Sequence, residues 1–253
     1  MTRIVCWFSA GAASAVATKL ALARYHTHEV VIARCIVPEE HEDNDRFATD
    51  CERWFGRPIL NLQSSDYASC EEVWAKRRYM AGPGGAPCTI EMKKAVRWAF
   101  EREFQPDLQV FGYTAEEAGR ASRFRAGNPE VPLVTPLIDE GLTKADCLAM
   151  IDRADIEIPA IYRLGFRNAN CLGCVKATSP AYWNRIRRHF PEVFGRRAKL
   201  SREIGCRLVE LHKDRIFLDE LSPEVGAGEQ EPDMDCSLLC AIAEQKIAEA
   251  AHV

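Results

Sequence analysis

Apolar and polar positions alternate along the chain in two periods that take turns. Arg3–Phe8 is a β-rich apolar run, and Ala12–Arg24 is Ala/Leu-rich with helical spacing. Glu29–Val37 reads as a second strand, Asn44–Phe55 as a helix stopped at Gly56, and Pro58–Leu62 as a third short strand. Cys70–Met80 and Thr89–Phe104 carry helical periodicity, and Leu108–Tyr113 is a fourth strand. This order predicts an α/β fold: a doubly wound, mostly parallel, Rossmann-like sheet of the HUP type with a C-terminal helical extension. Right-handed crossovers then place every strand's C-terminus at one edge, where a ligand binds. The pattern breaks at the Gly/Pro-rich loop Ala81–Pro87 and at Gly226–Met234, beyond which Ser237–Ala251 predicts a last helix. Residues 1–165 read as one domain and 166–253 as a Cys-containing, basic helical extension packed on it; no internal repeat is present.

Composition narrows the classes. With 253 residues, 47% hydrophobic and 28% charged, the chain is neither disordered, collagen-like nor a disulfide miniprotein. No window approaches the roughly 18 apolar residues of a membrane helix, so no membrane partner is expected. The N-terminus reads as a strand, not a signal peptide, and the expected location is cytoplasmic. The net charge of −4 is unevenly spread. Lys176–Arg202 holds eight bases against Glu192 alone, whereas Asp214–Asp235 holds eight acids against Arg215. The basic stripe is either a nucleic-acid surface or a solvated face paired with the acidic tail.

Eleven cysteines in a chain expected to be cytoplasmic point to metal or redox work. Cys6, Cys35, Cys147 and Cys206 sit in apolar or amphipathic runs and read as core residues, while Cys51 and Cys70 have no nearby partner in the sequence. Cys171-Leu172-Gly173-Cys174 is a Cys-x-x-Cys knuckle whose spacing lets two thiolates share a metal or cluster. Cys88, 83 residues earlier, stands at a predicted helix start, where a thiol pKa falls. Cys236 and Cys240 share a helical face, as a ligand plus a redox thiol, a thiol pair, or two core residues. The loop Ser9-Ala10-Gly11-Ala12-Ala13-Ser14 joins the first strand to the first helix, with small residues and free N–H groups suited to an anion. Arg120, Arg123 and Arg125 follow the fourth strand and suit phosphate or sulfate; each also fits a solvated face. Lys93 and Lys94 serve either Cys88 or a phosphate, or are surface lysines. Trp183 stacks on a base or belongs to the core, and His189 is a surface or phosphate-contacting residue.

Taken together, these segments resemble the phosphoadenosine-phosphosulfate (PAPS) reductase family of the PP-loop, or adenine nucleotide α-hydrolase-like, superfamily, over Ile4 to Cys174. The loop Ser9–Ser14 is similar to the family's phosphate-cradling first loop. Val110–Glu117 with Gly112, Arg120 and Arg123 resembles its Gly-containing strand end and Arg segment. Thr135–Asp139 with Leu142–Asp146 resembles its Pro-Leu … Trp-Thr-x-x-Asp stretch, and Ile158–Phe166 its Leu-Pro … Leu-Tyr-x-x-Gly-Tyr run. Ala13 departs from the Asp that PP-loop pyrophosphatases carry, which weighs against ATP hydrolysis. The resemblance implies adenine-nucleotide-linked sulfur chemistry, with ATP or PAPS/APS as the nucleotide and Mg accompanying ATP. It also implies a [4Fe–4S] cluster on Cys88, Cys171 and Cys174, with zinc as the inorganic alternative. Pro87 stands where the family has a further Cys, so the fourth ligand is Cys236 or Cys240, or the fourth iron stays open. Cys236 and Cys240 are also the expected catalytic thiols, although Asp235-Cys236-Ser237 matches the family's Glu-Cys-Gly-x-His tail only in part.

Three functions are then in view. Sulfur transfer to a nucleic acid, as in tRNA thiolation or DNA phosphorothioation, is placed narrowly first, on the basic stripe, the three-ligand pattern and the incomplete tail. Sulfonucleotide reduction releasing sulfite comes second, and a binding module without chemistry third. The expected partners are an adenine nucleotide, a nucleic acid on the stripe, and either a cysteine desulfurase or a thioredoxin-like reductant, with a homodimer as a further expectation.

Overall fold

A computed structural model describes residues 1–226 and 238–250. Its centre is a five-stranded sheet in the order β3-β2-β1-β4-β5, every pairing parallel. The strands are β1 (Arg3–Trp7), β2 (Glu29–Cys35), β3 (Ile59–Leu62), β4 (Leu108–Val110) and β5 (Leu133–Val134). Ile4, Val5 and Cys6 of β1 are wholly buried, as a central strand covered on both faces requires. The helices between are α1 (Ala12–Arg24), α2 (Asp43–Phe55), α3 (Cys70–Arg77), the short α4 (Pro87–Thr89) and α5 (Ala95–Phe104). After β4 come α6 (Ala118–Gly127), α7 (Pro136–Asp139), α8 (Lys144–Arg153), α9 (Ala160–Arg163), α10 (Pro180–His189) and α11 (Pro191–Ile204). A hairpin of β6 (Val209–Leu211) and β7 (Asp214–Ile216) follows, and α12 is Leu238–Ala250. Among the described residues no helix is long and apolar enough to cross a membrane.

The α/β expectation holds, and the element ends differ for local reasons. The Cys70 helix stops at Arg77 because Arg78 turns left-handed, φ 51°. The Thr89–Phe104 helix begins at Pro87 and passes through a π turn at Ile90–Lys94, a distortion that helical periodicity does not reveal. The β6–β7 hairpin turns on His212 and Lys213, both at positive φ, with no Gly or Asn to announce it. β5 is only two residues long, too short for a periodic signal.

Small residues let the layers close. Ala12, Ala15, Ala17 and Ala21 bury the inner side of α1, on which α8 and α12 pack, so the C-terminal helix rests on the first one. Strand order reverses between β1 and β4, and there the crevice of a doubly wound sheet opens. The loop after β1 meets the chain leaving β4 at Gly112, where a Cβ would stand 2.8 Å from the Ser14 backbone N and Cα. Gly112→Val therefore wedges the crevice open. It is expected to cost about 1–3 kcal/mol and to lower Tm by roughly 2–4 °C per kcal/mol, measured by thermal denaturation.

Candidate active site

The loop at the switch point is held by its own serine. Ser14 Oγ accepts the Ser9 amide at 3.0 Å, the Ser9 hydroxyl at 3.1 Å and the Gly11 amide at 3.4 Å, and donates to the Gly11 carbonyl at 2.9 Å. Two backbone donors already converge on one oxygen, the arrangement a phosphate oxygen seeks. Ala10, at φ 53°, forms the sharp turn, and Ala10, Gly11 and Ala12 are buried while Ser9 is exposed and Ala13 half-buried. Opposite Gly11 stands Tyr162, whose hydroxyl would lie 3.0 Å from a Cβ there; Ala169 lies beyond it. Lys144 Nζ donates to that hydroxyl at 2.9 Å and sits over the Tyr162 ring. The stretches around Lys144 and Tyr162 thus reach the loop and bring a half-buried ammonium with them. Arg120 and Arg123 lie exposed on α6; Arg120 pairs with Glu117 at 2.6 Å, and Arg125 donates to Thr135 Oγ1 at 3.0 Å.

The thiols gather from three places in the sequence. Cys70, at the start of α3 and 2% exposed, is in electrostatic reach of Cys171 of the knuckle, and α3 packs against α4, which carries Cys88. Cys174 is in electrostatic reach of Cys171 and Cys88. The Cys70 thiol pulls Cys88 below its ordinary pKa, with Lys176 assisting against burial. It likewise lowers Cys171, with Lys93 assisting. The neighbouring Cys171 and Cys88 thiols and burial raise Cys70, and burial raises Cys174. Close by, Glu39 Oε2 is buried with no hydrogen-bond partner, in electrostatic reach of Cys70, Cys88 and Cys171. Among the described residues no three His, Cys, Asp or Glu side chains form a preassembled cage for a metal ion.

A second set of contacts fixes the knuckle. Arg197, 1% exposed, donates to the Gly173 carbonyl at 3.2 Å, pairs with Glu71, and lies 4.5 Å from the Trp74 ring centroid. The Leu172 amide donates to the Glu39 carbonyl at 2.7 Å, and the Glu71 amide to Glu39 Oε1 at 3.2 Å. Tyr182 Oη accepts the Cys174 amide at 2.7 Å and donates to the Cys171 carbonyl at 3.3 Å. Gly173, at φ 64°, leaves no room for a side chain against Val193 and Arg197. A cavity of about 380 Å³ opens beside Cys174, with Arg167, Lys176 and Arg185 in its lining.

Several expectations change. Cys70, which the sequence leaves without a partner, is in electrostatic reach of Cys171, one of the expected ligands. Cys236 lies outside the described residues. Cys240 is wholly buried between α12 and α8, against the Asp146 carbonyl and the Arg153 guanidinium, with Cys147 in electrostatic reach. That surrounding is one of core packing. Half of the basic stripe is engaged by partners within the protein. Arg196 and Arg197 pair with Glu71, Arg202 with Asp219 and Glu220, and Arg187 caps the Leu218 and Leu221 carbonyls. Lys176, Arg188, Arg196, Lys199 and Arg202 are exposed. Trp183 is wholly buried and its indole donates to the Ala177 carbonyl, so it belongs to the core.

No family model and no curated protein matches the chain. Among solved structures, the phosphate complex of phosphoadenylyl-sulfate (PAPS) reductase from Candida auris is similar in fold outline. The TM-score is 0.49 and the identity 10%, over 68% of this chain and 83% of that one. A likeness of that extent says nothing about the chemistry of this site.

Replacing Arg197 tests whether the knuckle depends on it. Arg197→Ala removes a buried charged donor and leaves the Gly173 carbonyl and Glu71 without it, and a loss of about 1.5–3 kcal/mol is expected. Amide hydrogen exchange at Leu172 and Cys174 rises with it; unchanged exchange there refutes the anchoring role.

Proposed function

We propose that this protein carries out adenine-nucleotide-linked sulfur chemistry, binding the nucleotide phosphates on Ser9–Ser14 beside a thiolate-held iron–sulfur centre. One observation carries the reading: a single segment, Tyr162–Cys174, touches the loop through Tyr162 and Ala169 and the thiol group through Cys171 and Cys174. Two sites that the sequence relates only by resemblance are thereby mechanically joined. Lys144, Arg120 and Arg123 are the cations available to phosphate or sulfate oxygens.

Cys88, Cys171 and Cys174 supply the soft donors on which the cluster reading rests. Cys88 and Cys171 lean toward thiolate, as ligands require, and thiolate donors select iron–sulfur centres or zinc. The orphaned Glu39 oxygen adds negative charge facing the same space, which a positively charged centre offsets. Cys88, Cys171 and Cys174 would hold the cluster, which supplies positive iron charge and redox capacity when bound.

Of the two chemistries, reduction of a sulfonucleotide is better supplied than sulfur transfer. Half of the cations of the stripe that transfer would need are engaged by partners within the protein, and Ala13 weighs against ATP cleavage. In reduction a protein thiolate attacks the sulfonate sulfur, the bond from sulfur to the bridging phosphate oxygen breaks, and the nucleotide leaves with that electron pair. A dithiol reductant then attacks the protein sulfur. Sulfite departs with the electron pair of the S–S bond, and the remaining mixed disulfide is resolved by the reductant's second thiol. Cys240 is buried, so Cys236 carries the expectation of the attacking thiol.

Incubation with PAPS or APS and a thioredoxin-like dithiol should release sulfite. Lys144→Ala should lower kcat/KM about tenfold or more through the lost charge-assisted contact. Pyrophosphate release from ATP that depends on RNA or DNA, without sulfite, refutes reduction and restores transfer, with the exposed Lys176, Arg188 and Lys199 as its surface.

A further inference from the structure

We propose that the cavity beside Cys174 is a second anion site, which takes one tetrahedral oxyanion of the sulfate, sulfite or phosphate class and is separate from the Ser9–Ser14 loop.

Its lining is cationic. Arg167, Lys176 and Arg185 contribute to the wall of a space of about 380 Å³, together with the Asn168 and Asn170 amides and the Ser179 hydroxyl, and no described Asp or Glu lines it. Guanidinium, ammonium, amide and hydroxyl donors around one concave space are the set from which a tetrahedral oxyanion accepts hydrogen bonds. Arg167 and Lys176 are exposed, and among the described residues neither forms an ion pair, so both charges are available to a ligand. Ser9–Ser14, Lys144 and Tyr162 do not line the cavity, so an ion held here leaves the loop open to a nucleotide.

The wall is also held in shape. The Tyr182 ring meets Phe166 edge-on at 5.7 Å between centroids, and its hydroxyl accepts the Cys174 amide at 2.7 Å. The Arg185 guanidinium lies 5.5 Å from the Phe166 ring centroid. Gly165, at φ 80°, makes room for it, since a Cβ there would stand 3.1 Å from Arg185 Nε. Ser179 is the N-cap of α10, so the positive end of that helix adds to the cations at the same wall. A site whose rings and backbone are set beforehand loses little freedom when an ion enters. Two sources carry this chemistry: a free inorganic oxyanion, and the anionic group of a nucleotide whose other phosphate rests on the loop.

The test is isothermal titration calorimetry at low ionic strength, with sodium sulfate and inorganic phosphate each titrated into wild type, Lys176→Gln, Arg167→Gln and Lys144→Ala. A saturable site weakened about tenfold or more by Lys176→Gln and by Arg167→Gln, and kept by Lys144→Ala, supports the proposal with a free ion as the source. A site kept by both cavity variants, or lost in Lys144→Ala, overturns it. If the wild type binds neither ion, adenylyl sulfate compared with AMP decides. Affinity for adenylyl sulfate that falls in the cavity variants while AMP affinity holds supports the site with the nucleotide as the source; unchanged affinity for both overturns it. Circular dichroism confirms that each variant is folded, as the exposure of Arg167 and Lys176 leads one to expect. Binding is read without turnover, so a protein that releases no sulfite still passes or fails this test.

Discussion

The site depends on one buried cation. Arg197 is anchored on α11, yet its guanidinium reaches the carbonyl of Gly173 on one side and the carboxylate of Glu71 on the other. A charge this deeply buried is costly unless its hydrogen bonds are met, and here they are met by the two segments that must be brought together. The knuckle cannot drift from α3 without stranding the charge. Because Cys70 precedes Glu71 and Cys171 precedes Gly173 by two residues, fixing those partners also sets the thiols against each other. The aromatic face of Trp74 completes the enclosure.

That arrangement makes the thiols unequal. Cys88 and Cys171 have their pKa lowered, whereas Cys70 and Cys174 have theirs raised. Lys93 adds positive potential at Cys171 and Lys176 at Cys88. Glu39 opposes them with a buried carboxylate oxygen that has no hydrogen-bond partner.

Much of the fold was legible because it rests on local periodicity. The alternation of apolar strands with amphipathic helices, and the run of small residues after β1, need no tertiary knowledge to be read. The Cys-x-x-Cys knuckle is visible for the same reason. Cys70 was not, because nothing in its neighbourhood marks it: its meaning comes from a helix that returns to the knuckle 101 residues later. The basic stripe misleads for the opposite reason. Its charges are adjacent along the chain, but their partners Glu71, Asp219 and Glu220 are supplied by other elements, and a one-dimensional charge count sees only the excess. Cys240 belongs with these: helical spacing put it beside Cys236, while the packing of α12 on α8 turned its thiol into the core.

The stripe bears on function in the same way. Sulfur transfer to a nucleic acid asks for a cationic surface to hold a polyanion, and four of the eight cations of the stripe, Arg187, Arg196, Arg197 and Arg202, are engaged by partners within the protein. Beside Cys174, Lys176 lines a small cavity together with Arg167 and Arg185, a space sized for one oxyanion rather than for a phosphodiester backbone. Lys144 is held at the loop by Tyr162. Cations at the loop and at the cavity match a small substrate with two anionic groups. A sulfonucleotide, with phosphate at one end of its reactive bond and sulfonate at the other, has that form.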